Sequence, residues 1–221
     1  MNFLRQFHDI VSNQEIDFSD KVIKLLEFGL EVFDLEFAIV SQVDDKLYTV
    51  LHVVAPDNAI PVGTQFDMEG TYCAHTLKAN KALSFHNASN SRIAQHPCYV
   101  NFQLESYIGA PIFVGKKVFG TVNFSAPNVS KPFSEESHDY VELFAQWLGN
   151  EIARNASSER LMKKNYMLAQ VEEVARIGSW ELDLLENKLY WSKQTKAIHE
   201  VPVDYSPNLE TAIEFYKKGE S

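Results

Sequence analysis

The chain has 221 residues, 45% of them apolar and 23% charged, an ordinary globular composition long enough for one large domain or two small ones. Thirty acidic against twenty basic residues give a net charge of −10, which argues against a nucleic-acid partner. The opening MNFLRQFHDIVSNQEIDFSD lacks the apolar core of a secretory signal, no window approaches the ~20 apolar residues of a membrane span, and two cysteines make no disulfide framework, so the expected compartment is the cytoplasm with both thiols free.

In chain order, DKVIKLLEFGLEVF puts Val22, Leu25, Leu26, Leu30 and Phe33 on one helical stripe behind Asp20, an acidic residue where the helix dipole favours one. EFAIVSQV and KLYTVLHVV, separated by DDK, read as a β-hairpin. The turn-rich PDNAIPVGTQFDMEG leads into a short helix holding TYCAHTLKAN, followed by a brief strand at ALSFH and a polar loop, NASNSRIAQHP. SYIGAPIFVGKKVFGTVNFSA is a second hairpin turning at Gly115-Lys116-Lys117. Ser134 then caps a long helix whose buried face is Val141, Phe144, Ala145, Leu148 and Ile152. This order predicts an α+β fold, an antiparallel sheet with helices packed on it.

No Pro or Gly interrupts the helical pattern from Ile152 to Ala175, and Leu161, Leu168 and Ala175 recur every seven residues with Val171 beside them. This stretch is either a short coiled coil or a solvated connector. After Gly178, GSWELDLLENKLYWS reads as strand, turn at Glu186-Asn187-Lys188, and strand, with Trp180 and Trp191 filling the core. KQTKAIHEV and LETAIEFYKKG read as two short helices.

Five side chains capable of metal or thiol chemistry lie between residues 73 and 98: Cys73, His75, His86, His96 and Cys98. On a helix Cys73 and His75 point ~200° apart and cannot hold one ion together. Neither C-x-H nor H-x-C is a usual zinc spacing, so no metal site is expected. Cys73 near a helix N-terminus could be an activated thiolate, although a small semi-apolar residue also packs well in a core. Cys98, in a polar loop, is expected to be the more exposed of the two.

TYCAHTLKANKALSFHNASNS, the run SYIGAPIFV…FGTVNFS and the PFSEES helix start resemble a GAF domain of the kind found in bacterial sensor histidine kinases, diguanylate cyclases and phosphodiesterases. The resemblance covers residues 15–155. ARIGSWELDLLENKLYWSKQTKAIHEVPVDYSPNLETAIEFY resembles the N-terminal half of a PAS domain, expected over 176–221. It implies a truncated domain and a piece of a longer sensor. The two together imply a non-enzymatic module with no catalytic residue here, a small-molecule ligand in the GAF pocket, a signalling helix over 134–175 that also supports a homodimer, and an output domain elsewhere. The pocket position implies Tyr72, Cys73, Thr76, Tyr99, Phe102, Tyr107 and Asn123 as candidate ligand-binding residues. No bilin, haem or flavin signature is present: TYCAHT is not the surround of a bilin cysteine, and no cysteine follows Cys98. FSEES lacks the Asp-Glu pair associated with cyclic-nucleotide binding. A ligand-free dimerisation platform and a redox sensor at Cys73 are the alternatives.

Overall fold

The apolar spacing of the first residues builds a helix before the one foreseen. α1 (Phe3–Ser12) starts where the Asn2 side chain accepts the Arg5 amide, and it turns Phe3, Phe7, Ile10 and Val11 to one side. α2 (Phe18–Phe33) is capped by Asp17, which accepts the Asp20 amide, and ends at Asp34 in the left-handed region. Strands β1 (Phe37–Asp44) and β2 (Leu47–Val54) form the expected hairpin, with Asp45 at positive φ in the turn. A loop leads to β3 (Gln65–Asp67), a turn at Met68–Gly70, α3 (Cys73–Ala79) and β4 (Leu83–Phe85). A further helix, α4 (Pro97–Phe102), starts at the last residue of the expected polar loop. The second hairpin, β5 (Ser106–Val114) and β6 (Lys117–Ala126), turns on Gly115 and Lys116, with Gly115 at φ +64° and Lys117 already in the strand. Ser134 then accepts the Ser137 amide and opens α5 (Glu135–Ala175).

The computed structural model describes residues 2–217, which divide between Asn155 and Ala156 into two units. In the first, all six strands form one antiparallel sheet in the order β3-β2-β1-β6-β5-β4. This is the mixed α and β architecture expected, and the unit includes α1, which lies ahead of residue 15.

The two-residue period of the strands sorts their side chains into two layers. Ala38 and Val40 of β1, Ile108, Ala110 and Ile112 of β5, and Val122 and Phe124 of β6 face α1, α2 and the first part of α5. There they meet Val22, Leu25 and Leu26 of α2 and Val141, Phe144 and Leu148 of α5, all fully buried. Phe3 locks α1 onto this layer by stacking on Tyr140 at 3.6 Å between ring centroids. The intervening residues Ile39, Tyr48 and Tyr107 face the other way and join Tyr72, Cys73 and Cys98 in a second cluster under α3 and α4.

The second unit has a two-stranded sheet, β7 (Trp180–Asp183) and β8 (Lys188–Trp191), with α6 (Lys193–Ile198) and α7 (Leu209–Lys217). Its small core is Leu189, Trp191 and Ala212 with Tyr205 and Phe215 around them. Trp191 is 7% exposed as expected, but Trp180 is 60% exposed and does not fill the core. The two indoles occupy paired positions in the hairpin, yet the α7 and Tyr205 side chains gather over Trp191. Along α5, Leu161, Leu168 and Val171 are each about three-fifths exposed.

Gly149 permits the close seat of α5 on the sheet: a Cβ there would lie 2.1 Å from the Phe113 carbonyl oxygen. Because the obstacle is backbone, Gly149→Ala should destabilise the first unit by about 1–3 kcal/mol despite its better helix propensity. The urea midpoint, at unchanged slope, measures this.

Candidate ligand pocket

The second face of the sheet is not filled by its own side chains. A cavity of about 470 Å³ lies between the sheet and a cover made of α3, α4, Phe66 and the loop through Ala59, Ile60 and Pro61. Its floor is Phe37 and Ile39 of β1, Tyr48 of β2, Tyr107 of β5, and Asn123 and Ser125 of β6. These positions are juxtaposed by strand pairing: Ile39 lies opposite Asn123, and Ser125 lies between Phe37 and Tyr107.

Of the residues expected to contact a ligand, Tyr72, Cys73, Phe102, Tyr107 and Asn123 line the cavity. Thr76 and Tyr99 do not. Thr76 is fully buried behind the floor and bonds the Tyr107 hydroxyl at 2.7 Å. Tyr99 donates its hydroxyl to Glu105 at 3.0 Å, away from the cavity. Tyr48, Phe66, Leu104 and Ser125 were missed because they reach the site only through long-range pairing and loop closure. The alternation of Ile39 and Tyr48 against the helix-facing residues was the available signal for two of the floor positions.

Hydrogen bonds among hydroxyl, thiol and amide groups run through the floor and behind it. Thr121 donates to the Cys73 sulfur at 3.2 Å and bonds Ser41 at 2.9 Å, Tyr107 donates to the same sulfur at 3.5 Å, and the Asn123 amide donates to the Tyr48 hydroxyl at 3.1 Å. Each partner satisfies a group that would otherwise be costly to bury.

Burial decides the chemistry of the thiols. Cys73 begins α3, but it is 2% exposed, and desolvation pushes its thiol up despite hydrogen bonds from Thr121, Tyr107, Tyr48 and Thr71 that pull the other way. The activated thiolate considered above is therefore corrected. Cys98 is not in an exposed loop: it sits on α4, 5% exposed, and burial pushes its thiol up to about 12. Among the described residues no group of three or more His, Cys, Asp or Glu is placed to hold a metal ion.

His96 serves the cover instead. As the N-cap of α4 it is held in extended backbone before Pro97, and its Nδ1 accepts the Cys98 amide at 3.2 Å. Its ring lies 5.4 Å from Tyr72 and 4.8 Å from His75, whose Nε2 is buried without a partner among the described residues. Desolvation lowers the His96 pKa, His75 lowers it further, and Glu69 opposes both.

The GAF domain family matches residues 19–152. Among solved structures, the chain is similar to the phycocyanobilin-bound GAF domain of a cyanobacterial phytochrome, at 14% identity and a TM-score of 0.57 over 70% of this chain and 95% of that one. It is similar to the GAF domain of an Acinetobacter phosphoenolpyruvate-protein phosphotransferase, at 15% identity and 0.58 over 72% and 97%. A third likeness is to the free methionine-R-sulfoxide reductase of Neisseria meningitidis in complex with its substrate, at 15% identity and 0.55 over 70% and 89%. At these identities the likenesses establish the fold alone. No curated protein matches the sequence.

Two outcomes follow from the protonation states. Ellman's reagent at neutral pH should modify neither cysteine in the native chain and both in denaturant; raised thiol pKa values also make stability hold up to pH 9 and fall as pH rises toward about 12, a fall that Cys98→Ala should soften. His96 is the opposite case, because a lowered pKa favours the neutral ring. Its stabilising cap is fully present above pH 6.5 and is lost as pH falls through the lower folded value. His96→Asn, which caps without titrating, should flatten the acid side of the stability profile.

Proposed function

Since the chain belongs to the GAF domain family, by its match over residues 19–152, we propose that its first unit is the sensory module of a bacterial signalling protein, binding a small molecule in the cavity described above. The observation that carries this reading is the cavity itself. A space of about 470 Å³ under a cover of two short helices and a loop has the size and the largely apolar lining of a ligand site. The module works by binding rather than catalysis: both thiols are held protonated, and the tyrosine and threonine hydroxyls around them are engaged with one another.

The proposed signal passes through the sheet. Tyr107 and Asn123 on the ligand side alternate with Ile108 and Phe124, and Phe124 packs on Phe144 of α5 at 5.9 Å between ring centroids. Occupancy on one face changes strand positions that α5 rests on, and α5 carries the change toward residues 176–221, which we read as the N-terminal part of a PAS domain, and to an output domain such as a histidine kinase or diguanylate cyclase. The exposed apolar line of Leu161, Leu168 and Val171 supports a homodimer in which a second copy covers it. A coupling of about 1–3 kcal/mol between two arrangements of the paired helices suffices for signalling. The net charge of −10 and the absence, among the described residues, of a helix long and apolar enough to cross a membrane are in keeping with a cytoplasmic module without a nucleic-acid partner.

A thermal-shift screen of the full chain against uncharged and charged metabolites tests the reading. A true ligand at a hundred times its Kd stabilises by about 2.7 kcal/mol, and Ala59→Trp, which fills the cavity from its rim, should remove the shift. Spin labels on Lys163→Cys, with both native thiols buried, should report a changed distance between copies on binding. An unchanged distance with a bound ligand would end the relay.

A further inference from the structure

The chemistry of the cavity lining narrows the ligand class. Among the described residues, no Lys, Arg, His, Asp or Glu lines it. An ionised ligand would leave water for an apolar wall with no counter-charge, a desolvation cost that neutral hydroxyls do not recover.

Most of the polar groups in the wall are already committed to the protein. The Tyr72 hydroxyl donates to the Leu104 carbonyl at 2.9 Å, Thr71 to the Met68 carbonyl at 2.9 Å and Thr64 to the Pro61 carbonyl at 2.6 Å. Tyr107 is engaged by Thr76 and Cys73, and Tyr48 by Asn123. Two side-chain oxygens are left. Asn123 gives one of its two Nδ2 protons to Tyr48 while its Oδ1 has no protein partner among the described residues, and the Ser125 hydroxyl has none either. They sit two residues apart on β6, so both point to the same face of the sheet. The Asn123 Oδ1 and the Ser125 hydroxyl thus form a short polar strip in the floor, while the aromatic side chains of Phe37, Phe66, Phe102 and Tyr72 contribute to the rest of the lining.

Resting on the ligand-binding reading above, we propose that the cavity takes an uncharged aromatic or heteroaromatic small molecule, bearing a hydroxyl or ring N–H along one edge that donates to Asn123 Oδ1 and meets the Ser125 hydroxyl. The cavity accommodates a two- or three-ring compound of this kind. The aromatic wall provides affinity through apolar burial and offset ring packing. The polar strip provides orientation, and it discriminates against compounds that leave its two groups desolvated and unpaired.

The test uses three probes of one shape on the full chain: 2-naphthol, naphthalene and 2-naphthoate, titrated calorimetrically. The expected order is 2-naphthol tightest, naphthalene weaker by about tenfold, and 2-naphthoate weaker still. Asn123→Leu should bring 2-naphthol down to naphthalene while naphthalene binding persists. Ser125→Ala, a milder change, should narrow the same gap, and Ala59→Trp should abolish binding of all three. If 2-naphthoate binds as tightly as 2-naphthol and Ala59→Trp removes it, the uncharged class is wrong and the ligand-binding reading stands. If 2-naphthol and naphthalene bind equally in the native chain, the polar strip does not act as proposed. If no probe binds, the class falls, and the ligand-binding reading falls with it only if the metabolite screen is silent as well.

Discussion

Strands β1, β5 and β6 serve two layers at once, and everything else in the first unit follows from their register. Side chains of even-numbered residues from Ala38 and Val40 to Ile108, Val122 and Phe124 meet the helices, while odd-numbered neighbours from Ile39 to Tyr107 and Asn123 meet the cavity. A slip of one residue would put Asn123 against Phe144 and Phe124 into the ligand space. The pairing is protected against such a slip at the hairpins, where Gly115 and Asp45 adopt the positive φ their turns require. Glycine at 120 adds a local requirement, since a Cβ there would fall 1.9 Å from the Ser41 carbonyl oxygen.

The same register creates a difficulty, because it places tyrosine, threonine, serine and asparagine in a buried layer against Cys73 of α3. The fold resolves it by letting these groups satisfy one another. Cys73 sits at the centre as a neutral thiol accepting from Thr121 and Tyr107, and the helix start that would favour a thiolate on an exposed turn loses to complete burial. A reactive thiol and a buried polar floor are alternative uses of one position. Here the buried polar floor prevails, and among the described cavity-lining residues it leaves the Asn123 Oδ1 and the Ser125 hydroxyl as the side-chain oxygens without a protein partner.

Local chemistry made much of this legible in the sequence. The β1–β2 and β5–β6 hairpins, the Ser134 cap and the buried face of α5 through Leu148 were readable because each depends on residues close in the chain. α1 is legible too, since Phe3, Phe7, Ile10 and Val11 repeat with helical spacing. α4 was not: it has six residues, and it stands on a histidine cap and the burial of Cys98 rather than on periodicity. Within the pocket, the residues near the Tyr72-Cys73 pair and in the second hairpin were accessible to reasoning, whereas Phe66 and Leu104 arrive by loop closure. Thr76 and Tyr99 had the right neighbours but the wrong direction, one pointing behind Tyr107 and the other out to Glu105. Trp180 shows the same limit, since the strand pattern cannot say which of two paired indoles the α7 side chains will cover.

Coupling between the two faces needs no separate conduit in the proposed relay. Close-packed layers cannot absorb a displacement continuously, and the helix-facing layer is tight where it matters: Gly29 meets the Phe124 ring and Gly149 the Phe113 carbonyl with no room for a methyl group. The cavity face, by contrast, has space and a cover built from short elements capped by single side chains such as His96. In that relay, free energy from filling the space would act on the cavity layer first and reach α5 through the sheet between them. A ligand that binds without ordering the cover would leave α5 where it is, however tightly it is held, because only a difference in affinity for two arrangements shifts their populations. In the proposed relay, signalling competence would be set by how strongly the occupant engages both the β6 floor and the α3–α4 cover, and the proposed uncharged aromatic occupant would span the two.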